Sequence, residues 1–439
     1  LIGTVSLRGI LAVWFAMAGP LGAMLLSAPA QAQVSLYTAV DLARRNSAPV
    51  RIAQADVARA QASLSETRDV YLPSFSAGSS VGYTYGFPVG QPTLFNGQAQ
   101  SLVVSFSQPD YIRAARAGLH AATLSLQDAL DQVELDASLD YLQLDTITQQ
   151  LVALGEQKSY AEKLEQVEEA RLSAGVESQI AATKAELNGS RADLKRLDLE
   201  AQAAVLRERL SHLAGLPADS FRTKPESVPG APPNLDRTAL PMQTSGVQAA
   251  FSDAASKHYL ARGDDRQILR PQAAFGVQYS RFAMFNNYRQ YYNAFQHNNF
   301  DVGIQLTIPL FDAVKTAHAR QSAADAVHAD TQAEQDRQNA DEQVVQLRKS
   351  LATLRAQAKI ADLEAQLASQ QLQSVLLQLA SPPASATPLT PADEMQARIN
   401  ERARFSDALD ARFALLKAEL SLLRVTGGLH AWVDTAARQ

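Results

Sequence analysis

The chain has 439 residues, a formal net charge of −5 and no cysteine. That excludes a disulfide framework, a thiolate metal site and lipoprotein acylation. The mild acidity also argues against a nucleic-acid protein, which would carry a basic stripe. Ala, Gln and Leu are abundant, the composition of long helices, so the usual expectation of two or three compact domains for this length does not apply.

The first 32 residues read as a secretory signal. Arg8 supplies the positive start, Gly9 to Leu26 an apolar run, and Ala30-Gln31-Ala32 a small-x-small cleavage site. The mature start is expected near Gln33, and the alternative is a retained membrane anchor. No later stretch approaches the roughly 18 to 20 apolar residues of a spanning helix.

Leu36 to Tyr71 reads as one helical run that stops at Pro73. The period then changes from helical to alternating over Ser74 to Gly86, which marks a strand with two unlike faces. A turn is expected over Phe87-Pro88-Val89-Gly90 and Asn96-Gly97. The return strand sets Leu102, Val104 and Phe106 against Ser101, Ser105 and Ser107.

A long helix follows, from about Ala114 to Leu172, with a heptad seam of Leu126, Leu130, Val133, Ala137, Leu144, Ile147, Leu151 and Leu154, which Asp140 interrupts. At about 1.5 Å per residue its roughly sixty residues reach about 90 Å, too long for a compact domain. Gly175 breaks it within Ala174-Gly175-Val176-Glu177-Ser178. A returning helix places Ile180, Leu187, Leu194, Leu197, Ala201 and Ala204 at seam spacing and closes at Gly215-Leu216-Pro217. Pro225, Pro229, Pro232 and Pro233 mark an extended linker.

The programme then repeats, so residues 33–235 and 236–439 are two copies of one module of about 200 residues. A helix from Val247 to Leu269 leads to two strands, with Phe275, Val277 and Tyr279 on one, and Phe300, Val302, Ile304, Leu306 and Ile308 on the other. The latter strand's opposite face is Asn299, Asp301, Gly303, Gln305 and Thr307. A second long helix carries an unbroken seam from Ala340 through Val344, Leu351, Ala358 and Ala368 to Leu379. A Pro-rich tip, Ser381 to Pro391, turns into a last helix that ends at Gly427-Gly428.

Strands of about ten residues, apolar on one face and Ser, Gly, Gln or Thr on the other, match outer-membrane barrel strands. In lipid every backbone group needs a partner, and four strands cannot close. Two, three or four chains would supply eight, twelve or sixteen. The alternative is a soluble antiparallel coiled coil with two hairpins packed on it.

Four segments then resemble the TolC-type outer-membrane efflux protein family. They are Ala170 to Ser178, Leu210 to Pro217, Thr307-Ile308-Pro309-Leu310-Phe311-Asp312, and Leu422 to Gly427, in the family's order across essentially all of the mature chain. The resemblance implies a mainly α fold with transmembrane β strands. It implies a homotrimer with four strands per chain in a shared twelve-stranded barrel, continuous with a periplasmic α-helical tunnel. It further implies location in the outer membrane, contact with outer-membrane lipid, and a passive export duct for small molecules or proteins. Its partners would be a periplasmic adaptor and an inner-membrane efflux pump or ABC exporter. The other class of function is a non-porating periplasmic coiled-coil structural or adhesion protein.

No enzyme, cofactor, metal or nucleic-acid role is expected. Gly78-Ser79-Ser80-Val81-Gly82 matches Gly-x-Ser-x-Gly, but alternation runs through it into Tyr83 and Tyr85, whereas a nucleophile elbow needs a strand-to-helix turn. His318 and His328 lack helical ligand spacing. The aromatic run Tyr279 to Phe295 reads as an interfacial girdle and outer loop, or as a stacking surface for glycans or a phage receptor. Asp393 and Glu394, just beyond the second tip, are candidates for a threefold gate or selectivity ring, with Arg398 and Glu401 as latch partners. The competing reading is acids that favour a helix first turn. Gly175, Val176, Glu177 and Ser178 are the candidate adaptor-docking tip, with a plain helix C-cap as the competing reading.

Overall fold

The computed structural model describes residues 34–79, 93–230, 232, 244–282, 296–381 and 389–436. The expected signal, the expected strand residues beyond Ser79, the expected 235/236 boundary, most of the aromatic run expected to form an outer loop and most of the Pro-rich segment lie outside them. In chain order the elements are α1 (Leu36–Asn46), α2 (Ala48–Asp69), β1 (Ser74–Gly78), β2 (Thr93–Ser105), α3 (Gln108–Ser173) and α4 (Gln179–Ala214). The second half brings α5 (Ser245–Leu269), β3 (Gln272–Phe282), β4 (Asn298–Thr307), α6 (Ala313–Ala380), α7 (Pro391–Thr426) and α8 (Leu429–Ala436). No helix among the described residues is long and apolar enough to cross a membrane.

The four strands form one antiparallel sheet in the order β1-β2-β3-β4. Register sorts its side chains into two faces. One face holds the rows Phe75–Ala99–Val277–Val302, Ser101–Phe275–Ile304 and Val104–Ala273–Leu306. The other holds Ser76–Gln98–Gln278–Asp301, Ser74–Gln100–Gly276–Gly303 and Leu102–Ala274–Gln305. Two expectations for β2 need correction. Asn96 and Gly97 are not a turn but strand residues, paired with Gly78 and Ala77 and with Ser280 and Tyr279. Pairing on both sides overrides their turn preference. Leu102 and Val104 are also not on one face, because an irregularity between them inserts Val103 and reverses the alternation.

α3 is the central rib. Towards the tip it lies between α4 and α7, towards the sheet between α2 and α5, and α6 packs on α5 and α7. Its 66 residues reach about 100 Å. The α3 seam is buried or half-buried as expected, and so is the seam of α6. Asp140 stays in the seam, 3% exposed, facing Arg209 of α4 at 3.3 Å. Burial pushes its carboxyl up to about 6 against the pull of Arg209.

α4 departs from expectation. Its buried residues are Ala185, Ala192, Leu199, Ala203, Leu206, Leu210 and Ala214. The expected seam residues Ile180, Leu187, Leu194 and Leu197 are exposed. The helix carries two interleaved heptads, and its own chain covers the alanine-bearing one because small residues let α3 approach closely.

The run from Leu36 to Tyr71 is two helices, not one. Ser47 is extended and Pro49 stands in the first turn of α2, where its ring cannot continue the α1 ladder. The linker after α4 is docked rather than free. Tyr141 of α3, 1% exposed, donates its hydroxyl to the Val34 carbonyl at 2.8 Å and accepts the Lys224 N–H at 2.8 Å. Trp432 of α8, a helix that sequence patterning did not foresee, donates to the Gly230 carbonyl at 3.1 Å. α1, α8 and this segment wrap the middle of the rib and share its core.

Candidate functional site

Three zones bear on function, and each follows from the elements just described. The first is the uncovered face of the sheet. Phe300, Val302, Ile304, Leu306 and Ile308 are all exposed, from 56% to 71%, as are Phe75 and Val104. A continuous apolar patch of this kind marks a surface made for another apolar phase. Both edge strands, β1 and β4, pair on one side only.

The second zone is a pair of unpartnered helix faces. Ile180, Leu187 and Leu194 repeat every seven residues on α4. On α6, Ile360, Leu363, Leu367 and Leu377 are exposed between 53% and 71%. The α6 residues were not foreseen. The signal was present in the sequence as a second apolar series, offset from the seam that α7 covers.

The third zone is the tip. α3 ends in a Schellman motif: Gly175 is left-handed at φ +72°, its N–H donates to the Leu172 carbonyl at 2.9 Å, and Val176 N–H donates to the Arg171 carbonyl at 2.9 Å. This fixes Val176 outward, 70% exposed. Glu177 ion-pairs with Arg171 at 3.0 Å, and the Ser178 hydroxyl caps α4 by accepting from Ala181 N–H. All four candidate docking residues therefore sit in one rigid turn.

At the second tip, Asp393 completes a capping box with Thr390, accepting its N–H at 2.8 Å and its hydroxyl at 2.7 Å. Glu394 pairs along the same helix with Arg398 at 2.8 Å, and the Arg398 guanidinium also lies over the Tyr160 ring of α3. Glu401 lies beside Arg402 at 3.2 Å, and Arg402 reaches across to Glu156 of α3 at 2.7 Å. Asp393 and Glu394 thus share one helix start, Arg398 is engaged by Glu394 and by the Tyr160 ring of α3, and Glu401 lies further along. Within one chain the four do not converge on a single point.

Beneath the sheet a polar network ties three helices. Tyr111 of α3 donates to Asp264 of α5 at 2.7 Å, Ser322 of α6 donates to the same carboxylate, and buried Asp110 accepts from Arg113 and Arg266. It holds the strand-to-helix junction together. Among the described residues no group of His, Cys, Asp and Glu could hold a metal ion.

No family model matches this sequence, and no curated protein matches it. Solved structures do. The chain is similar to the CmeC outer membrane channel of Campylobacter jejuni, with a TM-score of 0.72 at 15% identity over 96% of this chain and 94% of that one. It is similar to the outer membrane protein VceC of Vibrio cholerae, at TM-score 0.67 and 14% identity over 90% and 96%. It also matches the open state of the MtrE outer membrane channel of Neisseria gonorrhoeae, at TM-score 0.64 and 15% identity over 90% and 89%. A long helical rib, two helical hairpins and four apolar-faced strands therefore give this chain the fold of the TolC-type outer-membrane channels.

Proposed function

We propose that the chain is the outer-membrane duct of an envelope export system, a passive channel and not an enzyme. Three copies close a twelve-stranded barrel in lipid, and the helices continue it as a periplasmic tunnel. The observation that carries this reading is the uncovered apolar face of a sheet whose two edges are free, joined to helices with unpartnered seams. Lipid covers the first, a neighbouring β1 or β4 closes the second, and α4 of one copy meets α6 of the next. The tunnel passes small molecules or proteins, with energy from an inner-membrane efflux pump or ABC exporter and with a periplasmic adaptor at the tip.

The deciding experiment is the mass and heat-modifiability of protein extracted in detergent from the outer-membrane fraction. An SDS-resistant species of about three protomers that collapses on boiling is expected. A soluble periplasmic monomer or dimer would remove the barrel and leave the coiled-coil scaffold. For the tip, Gly175→Trp is expected to abolish cross-linking to the adaptor, and intact cross-linking would end the docking role. For the second tip, Asp393→Ala/Glu394→Ala is expected to lower cation preference in single channels, and an unchanged preference would leave these acids as helix caps alone.

A further inference from the structure

The polar face of the sheet has a charge distribution that the export reading does not use. Beside Asp301, its rows across the four strands are mainly Ser, Gln, Gly, Ala, Asn and Thr, with Leu102 and, at the strand end, Phe282 the large apolar residues. The single formal charge on this face, among the described strand residues, is Asp301. Its row is Ser76–Gln98–Gln278–Asp301, so two amides and a hydroxyl flank the carboxylate at one level. Among the described strand residues no basic side chain stands on this face to neutralise it. Arg281 is on the opposite face with Tyr279, and Arg270, just before β3, lies over the ring of Phe106.

The next row adds shape. Gly276 pairs with Gly303, and neither Cβ position would meet any atom within 4 Å. Two adjacent strands therefore lack side chains at one level, where they leave a hollow of about 390 Å³ whose lining includes Gln98, Gln100, Gln278, Asp301 and Gln305. Amide oxygens and a carboxylate around an open floor are acceptors without a competing cation. Ammonium-type groups and partly dehydrated metal cations are the solutes that such a lining recognises.

We infer that Asp301, with the glycine-floored hollow beside it, is a cation-binding step within the barrel and a determinant of the duct's charge selectivity. The inference rests on the export reading, which places this face towards the lumen and repeats Asp301 once per copy. A carboxylate in a confined polar lumen acts at reduced dielectric, so one per chain is enough to bias permeation. The tip acids would act in series with it, at the other end of the tunnel.

The test is the reversal potential of the full-length protein in planar lipid bilayers under a KCl gradient, with spermidine as the organic cation probe. Asp301→Asn keeps size and shape, and Asp301→Lys reverses the charge. The expected result is a cation-to-anion permeability ratio lowered by about twofold or more in the first and inverted in the second. Spermidine block, present in the wild type, should weaken in both. Gly303→Gln, which fills the hollow, should weaken spermidine block while leaving the sign of selectivity unchanged. If the wild type conducts and both Asp301 variants keep its permeability ratio, the inference is overturned while the duct stands. If the wild type forms no channel, the export reading fails and takes this step with it.

Discussion

α3 and α6 are nearly equal in length, 66 and 68 residues, yet they live in different surroundings. α3 buries twenty-one residues and α6 buries seven, five of them alanine in addition to Val344 and Leu351. The α3 interior includes Tyr141, Glu134, Asp140 and Gln150, each held by a partner outside α3. The α6 contacts are a thin line of small and aliphatic side chains. Two rods of nearly equal length are used differently: one is the interior rib, the other an edge whose second apolar face is uncovered.

The sharpest way to break this comparison is at the hub of the rib. Tyr141→Ala removes a fully buried ring and its polar contacts to Val34, Lys224 and Ser227, which dock the linker and the residue before α1. It should destabilise the chain by about 3–5 kcal/mol, read from urea unfolding in detergent. A cost below about 1 kcal/mol would show that the collar, formed by α1, α8 and the segment after α4, is not anchored there. On the edge rod the expectation is opposite. Leu363→Glu/Leu367→Glu should leave helix content intact, because both sites face outward, but should eliminate the SDS-resistant oligomer. Leu351→Glu on the same helix, where the side chain is 3% exposed, should instead unfold the hairpin. Equal outcomes for the two would erase the distinction between covered and waiting faces.

A smaller, pH-dependent effect separates the rods further. Asp140 has its folded value raised from 3.8 to about 6 by burial. The folded chain then holds the proton more tightly than the unfolded one, so stability from this group falls as pH rises through that interval. Above about 6 the full penalty stands, and below about 4 it is absent. Asp140→Asn should therefore stabilise at pH 8 by up to about 3 kcal/mol and do nothing near pH 3.5. A gain that is the same at both values would assign the effect to packing rather than to charge.

Much of this was legible from spacing alone. The β4 faces, the α6 seam, the Gly175 turn and the break at Asp140 are local patterns of period two or seven, and the structure keeps them. What spacing could not decide was competition. α4 offers two heptads, and only the approach of α3 selects the one bearing Ala185 and Ala192 for burial. The inserted Val103 moves Leu102 to the polar face, and nothing in an alternating run announces an inserted residue. The collar depends on contacts about 80 to 200 residues apart, such as Tyr141 to Lys224 and Trp432 to Gly230, which no window of sequence contains. The candidate ring acids show the same limit. Their position after a tip and the Thr390-x-x-Asp393 capping spacing are readable, but the placing of Arg398 over the Tyr160 ring of α3 is a three-dimensional fact.

The two open edges of the sheet carry a consequence for biogenesis. A lone chain can finish its helices, because every helical hydrogen bond is internal, but it cannot finish its strands. In the proposed assembly β1 and β4 keep unmet backbone donors and acceptors until other copies arrive, and those edges are as ready to recruit a wrong strand as a right one. Maturation is then a collision process whose half-time shortens as newly exported copies accumulate, and whose yield depends on something holding the edges apart in the meantime.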